Sequence, residues 1–212
     1  MNIHSVPGGR EKTMNNNDVR SLAGGLFTFL FASLLVSHPS IAQDKGIQEL
    51  HVVPDVDLSK YAGLWYEIAR LPNRFQNDCA GDVTASYTVL DNGDIKVVNR
   101  CRKENGEFDE AEGKARRADA DGPPTKLKVR FAPQLLSFLP FVWGNYWIID
   151  LAPDYHYAVI GEPDRKYLWI LARTPKLDEE TMSGILSRIQ QQGYDTVQLI
   201  RTQHSQQEGS AE

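Results

Sequence analysis

The chain has 212 residues, 41% of them hydrophobic and 24% charged, with a formal charge of −5 and an isoelectric point near 5.6. These are globular values, enough for one domain of ordinary size or two small ones. No basic stripe interleaved with aromatic residues appears, so nucleic acid is excluded as an expected partner.

Residues 1–42 read as a signal peptide. Arg20 precedes an apolar run from Leu22 to Val36, and Ser40-Ile41-Ala42 supplies small residues for cleavage before Gln43. The run is short for a membrane span. Met14 offers a second start with the same outcome. No cysteine lies at the cleavage point, so the expected product is exported without a lipid anchor, to the periplasm or the outer membrane. The segment carries three cations against two anions, which leaves the remainder near −6. That charge argues against adhesion to anionic lipid.

The expected barrel domain covers 43–202. An extended leader, Val53 to Leu58, feeds a first strand from Trp65 to Leu71. A loop follows, and then Val83 to Val89 alternates cleanly. Asp91-Asn92-Gly93 turns the chain into a return strand from Ile95 to Cys101. Cys79 and Cys101, the only cysteines, flank this hairpin. An exported chain with an even count is expected to bond them, although spacing alone does not fix the distance. The alternative, a catalytic thiol, finds no histidine partner.

Asn105-Gly106 turns again, and Phe108 to Ala118 is a polar strand with Gly113 in its middle, expected to bulge or bend. Lys126 to Phe131 alternates. Residues 132–143 then combine two prolines with Leu135, Leu136, Phe138, Leu139, Phe141 and Trp143, an apolar stretch where a polar loop is normal. Strands follow at Gly144 to Asp150, Tyr155 to Ile160 and Tyr167 to Ala172. Eight short strands joined by turns mean a sandwich or an up-and-down barrel. Asp178 caps a helix with Met182, Ile185, Leu186 and Ile189 on one stripe, ending at Gly193. A short strand is expected at Thr196 to Ile200, and a disordered polar tail at 203–212.

Three motifs stand in order: Gly63-Leu64-Trp65, Asp154-Tyr155-His156-Tyr157, and Trp169 to Arg173. On these the chain resembles the lipocalins over roughly Val53 to Ile200, in particular the bacterial outer-membrane lipocalins and apolipoprotein D. The resemblance implies an all-β fold, an eight-stranded antiparallel barrel with one helix packed outside and room for one small ligand. It also implies that Trp65 closes the floor with Arg173 stacked across it, Gly63 allowing the tight entry.

Strand parity places Glu67, Ala69, Ala85, Tyr87, Val89, Val97, Asn99, Tyr146, Ile148, Tyr157, Trp169 and Leu171 on the inner face. This aromatic and aliphatic set with a few polar groups suits an acyl chain with its head near the mouth. The expected function is binding, storage or transport of a fatty acid or lysophospholipid, with no enzymatic activity, no cofactor and no metal. The alternative is a lipid- or isoprenoid-modifying enzyme using Glu67 as acid or base. The 132–143 loop is left with three uses: a membrane or portal lip, a part of the core, or a homodimer contact.

Overall fold

The computed structural model describes residues 49–131, 139 and 142–205. The expected signal peptide and Leu135, Leu136, Phe138 and Phe141 lie outside the described residues, as does the tail beyond Ser205. The chain divides into two units, 1–43 and 44–212. The second contains everything that follows.

The leader expected over Val53 to Leu58 gives way at Leu58 to a short helix, α1 (Leu58–Tyr61), that stands between it and the first strand. Asp57 explains the turn: its carboxylate accepts from the backbone N–H of Ser59 and Lys60, satisfying two orphan donors at the helix start. Eight strands then run β1 (Gly63–Arg70), β2 (Gly81–Val89), β3 (Ile95–Arg102), β4 (Phe108–Arg117), β5 (Lys126–Arg130), β6 (Gly144–Leu151), β7 (Tyr157–Gly161) and β8 (Leu168–Ala172). Each pairs antiparallel with the next, and β1 pairs with both β2 and β8, which closes the barrel. The connections at 71–80, 103–107 and 162–167, the end of β5 and the start of β6 therefore share one end, the mouth, and the chain before β1 lies at the other.

Gly93 and Gly106, at φ +82 and +86, make the two tight turns that side-chain-bearing residues would resist. Gly113 differs from its expectation. The β3–β4 register runs through it without a shift, Val97 facing Gly113, so it makes no bulge. Its missing Cβ instead makes room for Phe131, whose ring a Cβ would meet at 2.7 Å. The Cys79–Cys101 disulfide is formed, with Cα atoms 5.5 Å apart, and pins the β1–β2 loop to β3. Closing a loop of this length stabilises the fold by about 3 kcal/mol in the chain-entropy view.

Two hydrophobic layers result. The inner one holds Trp65, Ala85, Tyr87, Ile95, Val97, Leu127, Ile148, Ile160 and Leu171. The outer one packs Ala69, Ile149, Val159, Leu168 and Ile170 against α2 (Glu179–Gln191) through Met182, Ile185 and Ile189. Asp178 caps α2 as expected, accepting from Thr181 N–H at 2.8 Å. Burying those three helix side chains contributes roughly 1.5–3 kcal/mol each.

The end of the chain is tied down. The strand expected at Thr196 to Ile200 is a 3-10 turn at Thr196–Gln198 followed by β9 (Ile200–Arg201). Above Tyr66, β1 leaves β2 and pairs with β9 instead. Residues expected in the tail are docked: Gln203 O accepts from Asp82 N at 2.8 Å, and Ser205 N donates to the Asp82 carboxylate at 2.6 Å. The terminal segment thus fills the seam between β1 and β2.

Candidate functional site

The floor is built from the entry to β1. Gly63, at φ +95, turns the chain out of α1, and Trp65 comes to lie fully buried. The Arg173 guanidinium sits 3.8 Å from the centre of its indole. Arg173 donates to four carbonyls at the junction of α1 and β1: Lys60 at 2.6 Å, Leu64 at 2.8 Å, Ala62 at 3.0 Å and Tyr61 at 3.2 Å. Trp65 Nε1 donates to Tyr61 O at 2.7 Å. The cation thus seals the floor and caps the C-terminal end of α1 in one contact.

Above the floor, three phenols meet. Tyr61 and Tyr146 share a hydrogen bond of 2.7 Å, and Tyr146 Oη donates to Tyr87 Oη at 2.9 Å. Burial holds all three phenols protonated: the Tyr87 pKa is pushed up to about 12, and those of Tyr61 and Tyr146 stand well above the ordinary value. Val97 and Ile148 complete the wall at this level. Asn99, opposite Ala85, faces the same way higher up, and Val89 sits half-exposed at the lower rim opposite Ile95.

The mouth end is polar. Glu67 faces Leu171 across the β1–β8 ladder, and then the register slips by one residue at Ile68. The slip has two results. Ala69, expected inside, pairs with Ile170 and joins the outer layer. Arg70 turns inward opposite Trp169 and forms a buried ion pair with Glu67, Nη1 to Oε1 at 2.8 Å. Glu67 also accepts from Thr202 Oγ1 at 2.5 Å and Gln76 Nε2 at 2.6 Å, while Gln76 Oε1 accepts from Trp169 Nε1 at 2.8 Å. Both Glu67 oxygens are engaged, so its carboxylate is tied into the structure.

Tyr157, the other residue expected inside, is also on the outside. It pairs with Ala172, packs in the outer layer, and accepts from Arg188 Nη2 at 2.8 Å. The inward residues of β7 are Ala158 and Ile160. Leu139 and Trp143, the described members of the apolar loop, are half-buried, with the Arg116 guanidinium 4.2 Å from the Trp143 ring. Among the described residues no group of three His, Cys, Asp or Glu is placed to hold a metal.

Sequence reasoning missed Tyr61, Arg70, Gln76 and Phe131. Tyr61 lies beyond the leader read as ending at Leu58, on a one-turn helix that the sequence reading did not place. Arg70 is turned inward by a slip that no local motif marks. Gln76 comes from a loop that the Cys79–Cys101 bond holds against the barrel. Gly113 was the available signal for Phe131, as a strand glycine often marks a close approach.

The chain belongs to the lipocalins: a family model described as a lipocalin-like domain matches residues 56–204. It is 41% identical over 159 residues to temperature-induced lipocalin-1 of Arabidopsis thaliana, covering 74% of this chain and 84% of that one. It is 37% identical over 175 residues to the outer membrane lipoprotein Blc of Escherichia coli K12, covering 81% and 91%. Among solved structures, insecticyanin from Manduca sexta superposes with a TM-score of 0.58 at 25% identity, over 74% of this chain and 86% of the other.

Proposed function

We propose that the protein binds an acyl-chain lipid, a fatty acid or lysophospholipid, inside the barrel, and stores or carries it in the cell envelope. It is a binding protein and not an enzyme. The observation that carries this reading is the inner face itself: an aromatic and aliphatic wall sealed below by Trp65 and Arg173, with its charged groups gathered at the mouth end. Burial of a chain of about 16 carbons yields on the order of 0.8 kcal/mol per CH₂, and lost freedom offsets part of that sum. Micromolar affinity follows without any special contact.

The similarity to an outer membrane lipoprotein and the apolar run before Ala42 support export to the periplasm or outer membrane. The 132–143 stretch follows β5 and precedes β6 in the chain, and its apolar composition supports a lip dipping into a membrane surface. Organic extraction and mass spectrometry of protein purified from its native envelope test the ligand reading. A bound acyl lipid is expected, and protein that stays empty and takes up no acyl chain on titration sinks it. Leu136→Ser with Phe138→Ser tests the lip, since liposome binding is expected to vanish while the circular dichroism spectrum stays unchanged.

A further inference from the structure

Among the described residues, Arg70 is a cation of the mouth network with bonding capacity left over. Its side chain is only 9% exposed. Nη1 is spent on Glu67, with Thr202 Oγ1 at 3.4 Å as a second acceptor, while Nε has no partner among the described residues. The surrounding polar groups are already committed to one another. Glu67 takes three side-chain donors, Gln76 bridges Glu67 and Trp169, and the Trp169 N–H is used by Gln76. What this corner still offers a ligand is a donor on a fixed, desolvated guanidinium.

We infer that Arg70 is the head-group receptor of the barrel and selects amphiphiles whose head is an oxyanion, a carboxylate or phosphate. This rests on the acyl-chain reading above. A donor-only head, such as an amine, meets a cation and leaves the Nε–H unmet. A hydroxyl head can accept from Nε but brings no charge. An oxyanion does both, and a charge-assisted bond is about twice as strong as a neutral one. Glu67 does not forbid a second anion, because three donors already spread its charge and a guanidinium has five N–H groups to divide between two acids. Glu67, Gln76 and Thr202 are positioning residues: they hold the guanidinium so that its remaining edge is available.

The test is a head-group series at constant chain length: a saturated fatty acid, the alkyl phosphate, the primary alcohol and the primary amine, titrated at neutral pH against the full chain. The acid and the phosphate are expected to bind about 10–100-fold tighter than the alcohol, and the amine weakest. In Arg70→Gln the acid-to-alcohol ratio is expected to fall below about threefold. Glu67→Gln combined with Arg70→Gln removes both charges together, avoids a lone buried carboxylate, and is expected to lose the ratio as well. Equal binding of acid and alcohol by the wild-type chain overturns the inference, and so does a ratio that survives in the double variant. If only one of the acid and phosphate is favoured, the head-group class narrows to that oxyanion and the assignment of Arg70 stands. If no member of the series binds the wild-type chain, the acyl-chain reading fails first.

Discussion

Arg173 and Trp65 hold the floor of the barrel together: the guanidinium carbon lies 3.8 Å from the indole centre while its nitrogens bind four carbonyls at the junction of α1 and β1. One side chain from the last barrel strand's end therefore fastens the first strand, the α1 turn and the closing indole. Removing it opens all three contacts at once.

Arg173→Ala is accordingly expected to destabilise the fold by about 2–4 kcal/mol, combining a cation–π contact with charged hydrogen bonds that do not add in full. Arg173→Lys keeps the charge but cannot serve four carbonyls with a planar fork, so it recovers less than half of the loss. Urea unfolding of the two variants checks this. Equal stability of Arg173→Lys and the native chain would show that charge alone suffices.

The phenol cluster makes alkaline stability steep. Burial raises Tyr61 and Tyr146 well above the ordinary value and pushes Tyr87 and Tyr194 up to about 12. The unfolded chain sheds these protons near pH 10 and the folded chain keeps them, so the unfolded state binds fewer protons above that pH. The contribution of Tyr87 and Tyr194 is fully present below pH 10 and is lost between about 10 and 12, by roughly 1.4 kcal/mol per pH unit for each group, and Tyr61 and Tyr146 add to the loss in the same direction as pH rises above 10. Of the eight tyrosines, these four are expected to stay dark in a phenolate absorbance titration until the protein unfolds. Four early, reversible phenolate signals from them in folded protein would contradict the cluster.

Charge is unevenly placed on the outer wall. Across β3, β4 and β5, Lys96 stands opposite Lys114 and Lys114 opposite Arg130, while Arg116 stands opposite Lys128. Asp94 and Glu112 relieve the first row through ion pairs with Lys114 and Lys96 at 2.9 and 2.8 Å. Like charges directly opposite on one face are unfavourable. Lys128→Glu turns one such pair into an attractive one and is expected to gain about 0.2–1 kcal/mol, a rise of about 1–3 °C in Tm. A fall in Tm would show that Lys128 has a stabilising partner on this wall.

Much of the architecture was written in local pattern. Clean alternation in Val83 to Val89 and Ile95 to Cys101 reads correctly because that part of the barrel has a wet outer face, so only one side of each strand is apolar. Asn92-Gly93, Asp178 and Gly193 mark a turn, a cap and a stop through backbone chemistry that acts within a few residues. The pairing of Trp65 with Arg173 was legible through the motifs that carry the lipocalin resemblance.

Tertiary structure alone decided which way several side chains face. Helix α2 covers β6, β7 and β8, so both faces of those strands are apolar and alternation no longer separates inside from outside, which is why Tyr157 was misplaced. Register slips at Ile68 and Ile149 reverse parity partway along β1 and β6. The first of them exchanges Ala69 for Arg70 on the inner face. A slip is set by the partner strand's hydrogen-bond ladder, not by the residue that makes it. Composition, turns and motifs thus determined a lipocalin barrel with a sealed floor. Only long-range pairing put a cation beside Glu67 and tied Thr202 and Gln76 to the same carboxylate.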